Sequence, residues 1–163
     1  GIAREVILYN RNLNKALGEV YDISDAVPLL NGSQNIVATD KLEALRKSDI
    51  IVITSGAKQE VGESRLSLVE KNSHIIKELV KELDVINPHA ILIIVTNPVD
   101  IMTRIAIQTS KRDAKRVFGS GTVLDTIRLR EAIGERLNIN RKNIHAFVVG
   151  EHGDSEFALW SVA

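Results

Sequence analysis

The chain has 163 residues, 44% hydrophobic and 26% charged; this suits a globular fold and carries too much apolar side chain for a disordered one. Lys+Arg and Asp+Glu both number 21, for a net charge of zero, so no basic field points to a nucleic-acid partner. Cysteine is absent, which excludes disulfides and thiolate metal sites, suits a reducing compartment and makes a cytoplasmic location the expectation. The longest apolar run, Ala90 to Val95, is too short to span a membrane, so no membrane partner is expected.

Short β-rich runs alternate with longer helical periods. Glu5 to Tyr9 reads as a strand, and a helical stretch follows from about Asn12 to Ala26. The triplet Asn31-Gly32-Ser33 matches a glycosylation acceptor, a pattern common by chance. Asn35 to Ala38 is a second strand and Asp49 to Thr54 a third. Both faces of the third run are apolar, as expected of a parallel strand covered by helices on each side. A polar loop runs from Ser55 to about Ser64. Leu68, Val69, Ile75, Ile76, Leu79, Val80 and Leu83 then recur at helical spacing, predicting one long amphipathic helix stopped by Asn87-Pro88. Ala90 to Thr96 is a buried strand, and the fixed φ of Pro98 suits the start of the next helix. Val117 to Gly119 is a short strand. A helix from about Val123 to Leu137 and an apolar strand, His145 to Val149, change the rhythm.

This alternation calls for a doubly wound parallel α/β sheet with right-handed crossovers, whose ligands bind at the carboxyl ends of the strands. Residues 1–120 are assigned to that domain, and 121–163 to the start of a second, α+β domain. The chemistry-bearing residues do follow strands. Gly150-Glu151-His152-Gly153-Asp154 places an imidazole, the side chain whose unperturbed titration lies nearest neutrality, in a tight turn. Asp125 and Arg128 are three apart on a helix and share a face. That spacing fits a solvated pair; it also fits a carboxylate that orients a histidine and a fork that grips an acid. Gln59 to Arg65 is a polar loop containing Gly62, and Thr96-Asn97-Pro98-Val99-Asp100 is a turn at a strand end.

The run from Ser55 to Arg65, the Asn97-Pro98-Val99-Asp100 segment, Gly119-Ser120-Gly121-Thr122 with its helix, and the Gly-Glu-His-Gly-Asp turn occur in this order along the chain. Together they resemble the lactate/malate dehydrogenase family over essentially the whole chain. The resemblance implies a Rossmann-type fold, NAD as cofactor, a small 2-oxo or 2-hydroxy acid as substrate, and a homotetramer. It implies that His152 accepts the substrate's hydroxyl proton, with Asp125 on its other ring nitrogen, where a carboxylate stabilises imidazolium. Arg128 would clamp the substrate carboxylate with its planar fork. Arg65, on a closing loop, would polarise the reacting carbonyl, and Asn97 would bond the same oxygen region. Asn10, Lys15, Gly56, Ala57, Val95, Thr96, Asn97 and Ser120 would line the cofactor. No metal is expected. Arg130 and His145 match positions that bind fructose 1,6-bisphosphate, an activator, in many bacterial relatives.

Gln59 bears on the substrate. Where malate-type relatives carry arginine against a second carboxylate, this chain has a neutral side chain. A second substrate charge would go unpaired in a dry site, so pyruvate and L-lactate are the expected pair. A malate-type or longer 2-hydroxy acid activity is the alternative within the family.

Two departures stand out. The glycine-rich phosphate-binding fingerprint is expected before Gly1, on a strand and helix this chain does not contain. The chain also ends at Ala163, before most of the second domain, so the polypeptide alone is expected to be inactive; a non-catalytic module is the reading if the fingerprint is truly lacking. Asn10 stands where the family usually has an aspartate on the NAD ribose; it can still hydrogen-bond but carries no charge to repel a 2′-phosphate, and Arg11 follows it, so NADP stays open although NAD is the expected cofactor. A related class, the NAD- and metal-dependent glycosidases, typically uses a cysteine ligand that this chain lacks.

Overall fold

The computed structural model describes residues 3–28, 32–57, 62 and 65–162, the side chains of residues 65 and 162 excepted. Strand β1 (Glu5–Tyr9) pairs in parallel with β2 (Asn35–Thr39), Ile7 lying opposite Val37. Helix α1 (Leu13–Ala26) makes the crossover. It begins where Asn12 Oδ1 accepts from the backbone N–H of Asn14 at 3.1 Å and of Lys15 at 3.4 Å, satisfying donors that no helical carbonyl reaches.

A second parallel group has the order β3 (Ile50–Ile53), β4 (Ile91–Ile94), β5 (Val117–Gly119). Val52 lies opposite Ile93, and Ile93 opposite Phe118. Helix α2 (Arg65–Ile86) links β3 to β4, and α3 (Val99–Thr109) links β4 to β5. Along α2 the stripe Asn72, Ile76, Val80 and Leu83 is buried, at the spacing of one helical face. It meets Ile51 and Ile53 of β3, Leu92 and Ile94 of β4, and Met102 and Ala106 of α3 in one core, onto which Ile7 and Tyr9 of β1 also pack. Each fully buried aliphatic side chain there contributes about 1.5–3 kcal/mol relative to exposure. Ala16 and Val20 of α1 are buried outside this cluster, α1 lying against β1 and β2.

The parallel α/β expectation holds, with two corrections. Among the described residues the third strand is covered on one face only. Ile51 and Ile53 are buried, whereas Ile50 and Val52 are 51% and 55% exposed. Alternate side chains point to opposite faces, and α2 and α3 both pack on the Ile51–Ile53 side. Pro98 stands at the start of α3 as expected, as its N-cap with φ −70° and ψ 119°; its peptide bond with Asn97 is cis. The apolar run His145 to Val149 pairs only through β6 (Val148–Val149), antiparallel to β7 (Phe157–Ala158). Its earlier residues lack a strand partner among the described residues, although Ile144 and Ala146 are buried. Helix α4 (Val123–Leu137) precedes this pair. A 3-10 helix, Leu42–Lys47, buries Leu42 and Leu45, a contribution not anticipated from sequence. No helix among the described residues is long and apolar enough to cross a membrane.

The amino ends of β3 and β4 are closed by a polar network. Arg112 and Asp84 have side chains only 1% and 8% exposed and meet at 2.8 Å. Arg112 Nη1 donates to Ala90 O at 3.1 Å and Nη2 to Asn87 O at 3.0 Å. Asp84 Oδ1 accepts from Ser110 Oγ at 2.9 Å, and its Oδ2 from Lys111 N at 2.6 Å. Asn87 Nδ2 reaches Leu45 O at 2.9 Å and Ser48 O at 2.8 Å. Because every partner is matched, removing one charge strands the other in the interior. Asp84→Ala should therefore cost about 3–5 kcal/mol of stability, read as a lower denaturant midpoint; a loss below about 1 kcal/mol, typical of a surface pair, would show that water already screens it.

Candidate active site

The carboxyl ends of β3, β4 and β5 lie along one edge, and the loops that leave them are tied together. Val95 N donates to Ile53 O at 2.9 Å and Ser120 N to Ile94 O at 2.8 Å, so the ladder continues just past the strands. Thr96 Oγ1 donates to Ser55 O at 2.8 Å, with Ile53 O at 3.3 Å. Buried Asn72 joins two loops at once. Its Oδ1 accepts from Ala57 N at 2.7 Å, and its Nδ2 donates to Asn97 O at 2.9 Å. Gly56 fits between them because a Cβ there would meet Thr96 Cγ2 at 2.9 Å and Asn72 Oδ1 at 3.3 Å.

At the second group of elements, Thr122 Oγ1 donates to Val148 O at 2.7 Å, and Val148 N donates to Thr126 Oγ1 at 3.0 Å. These bonds lock the start of α4 to β6. Asp125, in the first turn of α4, is buried to 9% exposure, where the helix's positive end favours a carboxylate. The turn after β6 brings His152 to it: Nδ1 and Asp125 Oδ2 lie 2.6 Å apart. An ionised carboxylate only accepts, so Nδ1 carries the hydrogen and Nε2 is the basic nitrogen of the neutral ring. Gly150 has φ +104°, and a Cβ on it would meet Ser155 O at 3.1 Å; glycine takes this left-handed turn without steric cost. The backbone N–H of His152 donates to Asp100 Oδ2 on α3 at 2.9 Å.

Arg128 is 68% exposed, its Nη1 3.6 Å from Asp125 Oδ1. Glu156 Oε2 lies 3.8 Å from His152 Nδ1 and makes no hydrogen bond among the described residues. Ligand-type atoms of Asp125, His152 and Glu156 fall within 4.8 Å of one another. Since Asp125 and His152 already satisfy each other, the trio is a carboxylate–imidazole pair with a second carboxylate beside it.

The expected cofactor residues follow the same edge. Gly56 and Ala57 follow β3, Val95 to Asn97 follow β4, and Ser120 follows β5. Asn10 follows β1, its N donating to Thr39 O at 3.0 Å and its Oδ1 accepting from Asn12 N at 2.9 Å. Lys15 is exposed in the first turn of α1. Gln59 lies outside the described residues, as does the side chain of Arg65, whose backbone opens α2. His145 is exposed. Arg130 Nε donates to Ala146 O at 2.9 Å, and its guanidinium stacks 4.8 Å from the Phe147 ring centroid. Sequence reading missed Asn72, the Asp100 bond and Glu156. Asn72 left a signal as an amide in the apolar stripe of α2, and Asp100 as the last residue of the Asn97–Asp100 segment.

A parallel α/β sheet whose strand ends carry small and amide residues lies next to an imidazole backed by a buried carboxylate, the layout of a binding edge beside an acid–base pair. Residues 1–119 match the NAD binding domain of lactate/malate dehydrogenase, and residues 122–163 match that family's alpha/beta C-terminal domain. The chain belongs to the lactate/malate dehydrogenase family. It is 44% identical over 162 residues to an L-lactate dehydrogenase of Thermoanaerobacterium saccharolyticum, covering 99% of this chain and 51% of the relative. An L-lactate dehydrogenase of Thermoanaerobacter pseudethanolicus is 46% identical over the same coverage. Among solved structures, the minor L-lactate dehydrogenase of Enterococcus mundtii superposes with a TM-score of 0.88 at 37% identity, covering 98% of this chain and 51% of that one. A lactate dehydrogenase from a Medee basin deep-sea metagenome library gives 0.87 at 38% identity, covering 98% and 50%. The chain spans about half the length of the curated relatives it matches.

Asn72 gives this site a direct test. Asn72→Ala removes the acceptor of Ala57 N–H and the donor to Asn97 O, and Asn72→Asp loses the donor alone. Each should lower stability by about 1–3 kcal/mol, the usual cost of a stranded buried polar group, and loosen the two strand-end loops. Denaturant unfolding of both variants checks this; an unchanged midpoint would mean that water replaces the amide.

Proposed function

We propose that the chain is the middle part of an NAD-dependent L-lactate dehydrogenase, interconverting L-lactate and pyruvate. The observation that carries the reading is the 2.6 Å contact between His152 Nδ1 and buried Asp125, which leaves Nε2 as the base. In lactate oxidation the substrate hydroxyl gives its proton to Nε2, and the Asp125 charge stabilises the resulting imidazolium; pyruvate reduction returns it. Arg128, exposed one helical turn beyond Asp125, offers its fork to the substrate carboxylate. Arg65 and Asn97 polarise the carbonyl. Asn10, Gly56, Ala57, Val95, Thr96, Asn97 and Ser120, with Lys15 nearby, hold the dinucleotide across the strand ends, as parallel α/β sheets do. NAD, when bound, takes or supplies the hydride. The fit rests on small and amide groups that let a flat ligand approach the edge closely, Gly56 being exposed there.

Two substitutions in the full-length enzyme test the reading. His152→Asn should lower kcat for pyruvate reduction by about 10²–10⁴, the worth of a positioned acid–base group, with NADH affinity little changed. Near-normal turnover would reduce His152 to a turn residue. Gln59→Arg should raise the oxaloacetate-to-pyruvate ratio of kcat/KM by well over tenfold, because an arginine in a closed site pairs with a second carboxylate and is stranded beside a methyl group. A rise of tenfold or less, about 1.4 kcal/mol, would remove Gln59 from the substrate site and with it the preference for lactate over malate.

A further inference from the structure

We infer that Asp100 is a positioning residue for His152: it fixes the backbone of the catalytic turn while Asp125 fixes the ring. The inference rests on the dehydrogenase reading above. Asp100 lies in the first turn of α3, between β4 and β5, and its Oδ2 accepts the His152 N–H at 2.9 Å across 52 residues of sequence. A hydrogen bond to an ionised acceptor is about twice as strong as a neutral one. The turn it holds needs such a tie. Gly150 and Gly153 flank the Glu-His pair with φ +104° and +150°, and glycines leave that backbone free to sample other conformations. Within the turn, Glu156 N to Gly153 O closes at 3.2 Å, downstream of His152. The bond from Asp100 thus restrains the peptide that carries the imidazole.

The bond also joins the two halves of the site. Asp100 follows Asn97 and Pro98, the strand-end residues that Asn72 holds through Asn97 O, whereas Asp125 belongs to α4 in the second group of elements. The imidazole is therefore placed relative to the β4 edge through its own backbone and relative to α4 through its ring. A carboxylate in a helix's first turn also stabilises that helix through the macrodipole. That role alone predicts a loss of stability without a selective loss of turnover.

Full-length wild type, Asp100→Ala, Asp100→Asn and His152→Asn separate these roles, with kcat and KM for pyruvate, KM for NADH and the thermal midpoint measured on each. Asparagine keeps an acceptor for the His152 N–H, and alanine removes it. Asp100→Ala should lose about tenfold to a hundredfold in kcat, the scale set by misplacing a reacting group by about an ångström, with KM for NADH unchanged. Asp100→Asn should recover most of that loss. Wild-type kcat in Asp100→Ala, or equal losses in both variants that follow the thermal midpoint, would overturn the inference and leave Asp100 a helix-stabilising residue. An inactive wild type, or full turnover in His152→Asn, would overturn the dehydrogenase reading and this inference together.

Discussion

Parallel pairing of β3, β4 and β5 makes every strand end on the same edge, and most of what positions the site follows from that. Parallel strands need crossovers, and α2 and α3 supply them on one face, burying Ile51, Ile53, Leu92 and Ile94. Each chain must then leave the sheet at the carboxyl edge with backbone groups that no strand neighbour can satisfy. Side chains supply the partners: Thr96 for Ser55 O, Asn72 for Ala57 N and Asn97 O. At the amino edge the same demand is met by Arg112, Asp84 and Asn87, a network with few open positions. One edge is thereby closed by buried charges; the other, among the described residues, is tied through small groups and amides.

The cost of burying Asp125 shapes the second half. A carboxylate out of water is tolerable only with partners, and here the positive end of α4 and the His152 ring Nδ1–H supply them. Helix α4 must then be held in register with the turn that carries His152. Thr122 and Thr126 do this by bonding the backbone C=O and N–H of Val148, two residues ahead of Gly150. Each threonine hydroxyl converts a two-residue strand, too short to hold itself, into a fixed support for the turn.

Most of the fold was legible because its cause is local. Apolar runs such as Ile91–Ile94 and the Ile76–Val80–Leu83 stripe announce strand and helix through their periods. The exposed face of β3 was not legible, since Ile50 and Val52 look as apolar as their buried neighbours; which face is covered depends on where α2 and α3 fall. The length of β6 was hidden for a similar reason, because pairing depends on a partner, Phe157–Ala158, with no strong β signal of its own. In the site, the histidine turn and the Asp125–Arg128 spacing stood out as compact motifs. Asp100 was visible as the end of the Asn97–Asp100 segment but without its bond, and Asn72 only as an amide in an apolar stripe; their partners lie 52, 15 and 25 residues away, where no local pattern records them.

The placement of Glu156 shows why one of two neighbouring carboxylates governs the ring. His152 Nδ1 has a single hydrogen to give, and Asp125 Oδ2 at 2.6 Å takes it, while Glu156 Oε2 stands at 3.8 Å, beyond hydrogen-bond reach. The facing Glu156 Oε2 is itself buried, so distance and not solvent keeps it from the ring nitrogen. Asp125 is also fixed in a helix that Thr122 and Thr126 anchor, whereas Glu156 follows the glycine-bounded turn itself. A hydrogen bond to a side chain that moves with the histidine would not define the ring's direction relative to the sheet. The contact with Asp125 does, because it refers the imidazole to an element outside its own turn.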